Sequence, residues 1–290
     1  MTELSVQQLL NSGTVALRDM VCSGACRHKS TEECAQGTHL VFPYRGVYVR
    51  HLGRSDAVAE ANQVLFFNDT EAYTISHPVA GGDACLSVTI DEPLLREIVP
   101  KGHLYADSRT RFREHRLRVD ARAQALVALL RHGLTRGVAE TLEAESLTLT
   151  LVRRALGEAT SHTVRGTAGR RKLADRAKLV LTSDLARRWT LRDIAGEIGV
   201  SPVYLTQVFQ QVEGMPLYRY QLQLRLGRAL DLLGKYDDLT RLSLDLGFSS
   251  HSHFTSAFRR VYGRTPTDFR GSYGAQVAKD SDSEAAGPQV

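Results

Sequence analysis

Two stretches near the C-terminus repeat one pattern of apolar and polar positions. The first is TLRDIAGEIGVSPVYLTQVFQQVEGMP (190–216) and the second is LTRLSLDLGFSSHSHFTSAFRRVYGRTP (239–266). Ala195 and Gly199 align with Ser243 and Gly247 at an offset of 48. Leu205, Phe209, Val212 and Gly214 align with Phe254, Phe258, Val261 and Gly263 at an offset of 49, so the second copy has one more residue in its turn. Each residue type has a physical job. Leu191, Ile194 and Ile198 recur at helical spacing and predict a short helix packed on that face. Ala195 and Ser243 are small enough for two helices to cross closely. Gly199 and Gly247 accept the positive φ that ends the first helix. Ser201 before Pro202 caps and starts the second helix, and Ser249 or Ser250 caps its counterpart. Leu205, Val208 and Phe209 then pin that helix to a core.

The residues left outward are Val203, Thr206 and Gln207 in the first copy. In the second they are Ser250, His251, Ser252, Thr255 and Ser256. Gln, Ser, Thr and His bond base edges, and Val203 can touch a thymine methyl. With the flanking Ser201, Tyr204, Arg259 and Arg260, they form the candidate DNA-binding set. Two helical hairpins of an ordinary α-domain would show the same period. Duplication of the small residue, the turn glycine and the capped second helix favours a DNA-binding unit.

Elsewhere the pattern changes. Six short runs in residues 14–90, TVALRDMVC, THLVF, GVYVRHL, NQVLFF, EAYTIS and ACLSVTI, are rich in β-branched and aromatic residues. Breakers at Pro43–Gly46, Gly53–Asp56, Asn68–Asp69 and Pro78–Asp83 separate them, so they predict a small antiparallel barrel or sandwich. Asp91 is placed to cap a short helix near Pro93. From about 120 to 156 the period is helical, with Leu126, Val127, Leu130 and Leu134 on one stripe. A second stripe carries Leu142, Leu147, Leu149, Leu151, Val152 and Leu156. These helices either cover the β-domain or pair with a second subunit, and paired operator sites favour a homodimer. Residues 157–171 read as a linker. Helices are predicted over about 171–188 and 216–234, the second joining the two repeat copies. The tail 274–290 is small, polar and acidic and predicts disorder. The expected domains are thus 1–156, a linker over 157–171, 172–273 and the tail 274–290.

Charge sharpens this division. The 290 residues carry a net charge of +5. Residues 170–273 hold 17 Lys and Arg against 10 Asp and Glu, which leaves the remainder mildly acidic. A basic repeat domain fits phosphate binding. No apolar run approaches 20 residues, and MTELSVQQLLNSG lacks the charged and apolar regions of a secretory signal. The expectation is a cytoplasmic protein without membrane contact, its cysteines reduced.

At this point the stretch 171–273 resembles the DNA-binding domain of AraC/XylS-type transcription regulators. The motifs are LRDIAGEIGVSPVYLTQVF, RLGRALDLL and LSLDLGFSSHSHFTSAFRRVYGRTPTDFR. Gly247-Phe248, Ser252-His253-Phe254, Phe258, Gly263, Pro266 and Phe269-Arg270 stand where that family has them. The resemblance implies an α+β chain. Its C-terminal all-α domain has seven helices with two helix-turn-helix units in successive major grooves. Its N-terminal cupin-like β-barrel senses a signal, and a helical dimerisation segment follows. Partners implied are a double-stranded DNA operator, RNA polymerase and an unidentified effector, with activation the commoner sign. Gln207 and Ser256 stand where the family often has arginine, so base preference does not transfer.

The cysteines raise a separate question. Cys22, Cys26 and Cys34 fall within 13 residues and Cys85 lies in a predicted strand. Four thiolates can hold zinc tetrahedrally, with His28 and His39 as alternative ligands. C-x3-C-x7-C is not a defined zinc pattern, and a thiol switch or plain core packing would use the same residues. A metal-dependent cupin enzyme would need a His-x-His cluster with a nearby Glu, whereas His39, His51 and His77 are isolated in sequence. A cysteine-zinc alkyl-transfer repair regulator would need an acceptor cysteine in a Pro-Cys-His-Arg context, which is absent. No catalytic residues are expected. The sequence therefore predicts a DNA-binding regulator whose N-terminal domain takes a small-molecule, metal or redox signal at residues 14–90 and changes how the two DNA-binding domains of a dimer are held.

Overall fold

The computed structural model describes residues 4–24, 28–53, 55–106, 109–158 and 160–272. In chain order the N-terminal part forms β1 (Leu4–Asn11), β2 (Val15–Cys22), β3 (Glu33–Cys34), β4 (His39–Arg45), β5 (Tyr48–Leu52), β6 (Ser55–Ala59), β7 (Gln63–Phe67), β8 (Ala72–Ser76) and β9 (Asp83–Ile90). Then come α1 (Glu92–Ile98), β10 (Arg116–Arg118), α2 (Ala121–Thr135), α3 (Thr141–Leu156) and β11 (His162–Thr163). The larger sheet has the order β1-β2-β9-β4-β7-β10-β11, and the smaller has β3-β8-β5-β6. The described ladders are antiparallel. β2 and β9 pair along their whole length, from Val15 opposite Ile90 to Cys22 opposite Asp83.

Alternation along each strand explains the two faces of the larger sheet. Leu40, Phe42 and Tyr44, Val64 and Phe66, and Ala84, Leu86, Val88 and Ile90 pack with α1, α2 and α3 in one core. Their neighbours Val41, Leu65, Phe67 and Cys85 pack with Tyr48 and Ala59 of the smaller sheet in a second core between the sheets. Arg50 is fully buried there. Its guanidinium lies 3.7 Å from the Phe67 ring centroid, donates to the Phe66 carbonyl at 2.6 Å and pairs with Glu71 at 2.7 Å. A charge this deep persists because a carboxylate, a carbonyl and an aromatic ring meet its guanidinium, although Nε has no hydrogen-bond partner.

All six strand runs read from the sequence are strands, as β2, β4, β5, β7, β8 and β9. Five further strands are not foreseen. β1 is exposed along most of its length and pairs on one side, so no buried face imprints a period on it. β6 begins at the Gly53–Asp56 segment taken as a breaker, because Gly53 turns the chain with φ +54° in a tight hairpin. β3, β10 and β11 are two or three residues long. Asp91 stands at the N-cap of α1, as expected, but its side chain makes no capping bond.

The C-terminal part consists of α4 (Ala168–Ser183), α5 (Leu191–Ile198), α6 (Pro202–Glu213), α7 (Leu217–Leu232), α8 (Leu239–Asp245), α9 (His251–Tyr262) and α10 (Pro266–Gly271). α4, α5, α6 and the first half of α7 share one core around Phe209 and Tyr220. The second half of α7 shares another with α8, α9 and α10 around Phe254 and Phe258. Leu217, Tyr220, Leu224, Ala229, Leu230 and Leu233, at helical spacing along this segment, are all buried. The predicted linker 157–171 is not a free tether: β11 joins the larger sheet through Leu117 opposite Thr163, and α4 starts at Ala168 behind a Thr167 cap. The predicted tail lies outside the described residues.

The two parts are docked. Arg116 on β10 meets Asp175 of α4 at 2.8 Å. Gln63 of β7 donates to the Tyr220 hydroxyl at 3.0 Å, and that hydroxyl donates to Glu60. Arg118 donates to the Glu213 carbonyl at 2.9 Å. On α2, Arg131 pairs with Asp231 of α7 at 2.7 Å. α2 thus lies between the larger sheet and the C-terminal part, since Val127 and Leu130 face the sheet while Ala128 faces α7 and α9. α2 is thus covered on both sides, whereas α3 keeps an outer side, where Leu142 is 74% exposed.

Lys178 Nζ lies 2.7 Å from Glu213 Oε1 with both side chains fully buried. Removing one partner strands a buried charge, so Lys178→Ala is expected to cost about 3–5 kcal/mol in urea unfolding, and a Lys178→Met, Glu213→Leu double variant to cost less than the single one. On α2, burial, and after it the Arg131 guanidinium, push the His132 pKa down to about 4 from an ordinary 6.5. The folded state therefore holds His132 neutral while the unfolded chain protonates. Its contribution is complete above about pH 6.5 and drains away as pH falls towards 4. His132→Gln should flatten the fall in Tm across that window, by at most about 3 kcal/mol of stability.

Candidate nucleic-acid interface

Local sequence builds two helix pairs, α5–α6 and α8–α9. α5 starts with a capping box: the Asp193 amide donates to Thr190 Oγ1 at 3.1 Å and the Thr190 amide donates to Asp193 Oδ2 at 2.9 Å. Those bonds from Thr190 hold the Asp193 carboxyl below the usual range. α5 ends at Gly199, whose φ of 72° lets its amide reach back to the helix. Ser201 then caps α6 by accepting from the Tyr204 amide at 3.2 Å, with Pro202 in the first turn. In the second pair Gly247 has φ 79°, and Ser250 caps α9 by accepting from the His253 amide at 3.1 Å. Ser249 instead pairs with His253 Nδ1 at 3.1 Å. Ala195 and Ser243, the small residues at the crossings, are buried.

The two turns are not equivalent. A Cβ at Gly199 would meet nothing within 4 Å, whereas one at Gly247 would stand 2.2 Å from the Ala186 carbonyl. Arg225 of α7 explains the close approach. Its guanidinium donates to the carbonyls of Leu185, Arg187 and Gly247 at 2.7, 2.8 and 3.2 Å. One side chain therefore ties the loop before α5 to the turn of the second pair. No periodicity marks such a residue; an arginine on the inward side of a predicted helix is the signal that was available.

The outward residues are where the pattern places them. Ser201, Val203, Tyr204, Thr206 and Gln207 are exposed on or beside α6. Ser250, His251, Ser252, Ser256, Arg259 and Arg260 are exposed on or beside α9, with Thr255 half-buried. Val203 is 67% exposed and Tyr204 44%, an apolar surface with no internal use. The hydroxyl of Thr206 donates to the Pro202 carbonyl at 2.8 Å, which leaves its oxygen as an acceptor. Leu191, expected inward, is 39% exposed, and beside it Arg187 stacks 3.8 Å over Trp189.

Residues 194–272 match the helix-turn-helix domain family. The chain carries an AraC-type helix-turn-helix domain. The transcriptional regulator GadX of Escherichia coli O6:H1 is 34% identical over 92 residues, 31% of this chain and 33% of its own length. The transcriptional activator CfaD of Escherichia coli is 33% identical over 97 residues, 33% of this chain and 36% of its own. The chain thus spans about a third of the length of these relatives, both transcription regulators. Among solved structures, a regulator with an AraC-type DNA-binding domain from Chromobacterium violaceum is 31% identical, covering 38% of this chain and 99% of that one at a TM-score of 0.35. Among the described residues no helix is long and apolar enough to cross a membrane.

The cysteine set is rearranged relative to expectation. Cys22 is buried at the end of β2, Cys85 is buried in β9, and Cys34 is exposed on β3 of the other sheet, opposite Ala72. These three do not converge, and Cys26 lies outside the described residues. His28 is exposed, and His39 stacks on Phe67 at 4.9 Å. Burial, then the nearby Asp83 carboxylate, drives the Cys85 thiol far above its ordinary range, so Cys85 behaves as a core residue. The histidines read as isolated are paired: His51 with Asp56 at 2.6 Å, and His77 with Asp83 at 2.9 Å.

Substitution at the turns separates conformational strain from crowding. Gly199→Ala should cost about 1–2 kcal/mol, the left-handed backbone penalty alone. Gly247→Ala should cost clearly more in the same thermal unfolding series, because the loop held by Arg225 must also move.

Proposed function

We propose that the protein is a sequence-specific transcription regulator. It reads a double-stranded operator with two helix-turn-helix units, α5–α6 and α8–α9, and takes its signal through the N-terminal domain. The observation that supports this best is the outward surface of α6 and α9. Both helices bury one side in cores that share α7, and both leave polar side chains able to bond base edges unengaged by the rest of the fold. Ser201 and Ser250 keep a hydroxyl proton for a phosphate while their oxygens cap the helices. Arg259 and Arg260 add charge at the far end of α9.

In this reading the two-sheet N-terminal domain is the cupin-like sensor, and Ser201, Val203, Tyr204, Thr206, Gln207, Ser250, His251, Ser252, Thr255, Ser256, Arg259 and Arg260 meet DNA. The dimer forms through the outer side of α3, since α2 is already covered, and RNA polymerase is the further partner of an activator working in the cytoplasm. The sign follows CfaD, which is named an activator. The docking contacts of Arg116, Gln63, Arg118 and Arg131 carry the signal by setting the angle of the C-terminal domain. Among the described residues no arrangement of catalytic groups favours an enzymatic reading.

Footprinting of the purified full chain on fragments of its source genome tests the proposal and yields the operator. On that operator Gln207→Ala and His251→Ala should each cost about 1–3 kcal/mol and relax preference at the base they face. Arg192→Ala or Arg260→Ala should weaken all duplexes alike and lower the salt slope by about 1. A Gln207→Ala protein that separates the operator from a scrambled duplex as well as the parent does would remove α6 from base reading.

A further inference from the structure

A further cluster of possible ligand atoms lies between the two sheets, and it does not depend on the DNA-binding reading. Cys22 is the cross-strand partner of Asp83. Such partners project from the same side of a sheet. Cys85, two residues after Asp83, packs in the core between the sheets, so that side is the inner one. His77, immediately after β8, comes from the smaller sheet, and its Nε2 lies 2.9 Å from Asp83 Oδ2. One donor atom from each of Cys22, His77 and Asp83 lies within 4.8 Å of the others.

Three features point to a ligand. The Asp83 side chain is 8% exposed, yet its Oδ2 has no hydrogen-bond partner, and neither does His77 Nδ1. His77 Nε2 stands 2.9 Å from that oxygen, and no described hydrogen bond joins them. A buried carboxylate oxygen is costly unless a donor or a cation meets it. The backbone also holds the set in place. A Cβ at Gly82 would lie 2.3 Å from the Cys22 carbonyl, and one at Gly46 would lie 2.1 Å from the Gly82 carbonyl. Only glycines allow the loop bearing Asp83 to press this closely on β2.

We propose that Cys22, His77 and Asp83 bind a zinc-type divalent cation through thiolate, imidazole and carboxylate, with a fourth position open to water or an outside ligand. This mixed sulfur, nitrogen and oxygen set suits zinc; calcium and magnesium require oxygen donors. Binding releases the Cys22 thiol proton to solvent, so affinity rises with pH. The site differs from the four-cysteine set suggested by spacing: it uses one of those cysteines and two residues that sequence separation hid.

The test loads the full chain with zinc chloride, dialyses it and measures metal by mass spectrometry and by competition with a coloured chelator. About one zinc per chain is expected, and cobalt(II) in its place should give a thiolate-to-metal charge-transfer band. Cys22→Ser should abolish the band, and Asp83→Asn should weaken zinc binding by about 100-fold. Cys34→Ser and Cys85→Ser should keep both metal and band, with circular dichroism checking the fold of each variant. If Cys22→Ser does not fold, the parent's cobalt band and the Asp83→Asn affinity decide. A parent that retains no zinc, a cobalt complex without the band, or zinc lost in Cys34→Ser but kept in Asp83→Asn overturns the proposal. Because no arm uses DNA, these outcomes stand apart from those of footprinting.

Discussion

The arrangement of the C-terminal domain depends on one helix serving two cores. α7 is 16 residues long, about 24 Å at 1.5 Å per residue. Its first half completes the core of α4, α5 and α6, and its second half completes that of α8, α9 and α10. Each helix pair buries its apolar side partly against this helix. The two outward surfaces therefore cannot be set independently: any rotation of α7 carries both. Arg225 reinforces this by holding the loop before α5 and the turn before α9 in one guanidinium fork.

The same helix is tied to the N-terminal domain near both ends. Towards its start, Tyr220 engages Glu60 and Gln63; towards its end, Asp231 engages Arg131. These contacts are polar and buried. Burial pushes the Glu60 carboxyl up. It would do the same to Glu213, but Lys178 and Arg116 outweigh it and hold that carboxyl down. Two acids in one buried cluster are thus shifted in opposite directions. Such an interface gains less stability than an apolar one of equal size, but it tolerates few alternative registers, because a shifted register strands a charge.

Much of this architecture was legible from residue pattern, and the omissions have physical causes. The helix pairs were readable because four separate constraints coincide at fixed spacing: a small crossing residue, a turn glycine, a cap and an apolar stripe. β2, β4, β5, β7, β8 and β9 were readable because each buries side chains whose types favour strands. β1 was not, since an exposed edge strand needs no alternation, and β10 and β11 are too short for a period to register. The docking contacts were invisible for another reason. Nothing in the linear sequence distinguishes Arg116, Lys178, Glu213 and Asp231 from other charged residues, and only the assembled fold brings them together. His77 and Asp83 meet Cys22 through a cross-strand register that no linear spacing encodes.

The placement of the docking contacts also constrains how a regulator of this build can work. The N-terminal domain touches α4, the buried side and C-terminal end of α6, α7, and Tyr262 on the inner side of α9, where its hydroxyl donates to Gln124 at 3.3 Å. None of these contacts covers Gln207, His251, Ser252 or Ser256, which stay exposed with the domains docked. A docked C-terminal domain is therefore not a masked one. Undocking would add freedom without uncovering new reading surface, whereas a shift of α7 by either contact would re-aim α6 and α9 together. In the proposed regulator, coupling between the domains acts on the angle at which two fixed surfaces are offered to a duplex, and access to those surfaces is constant.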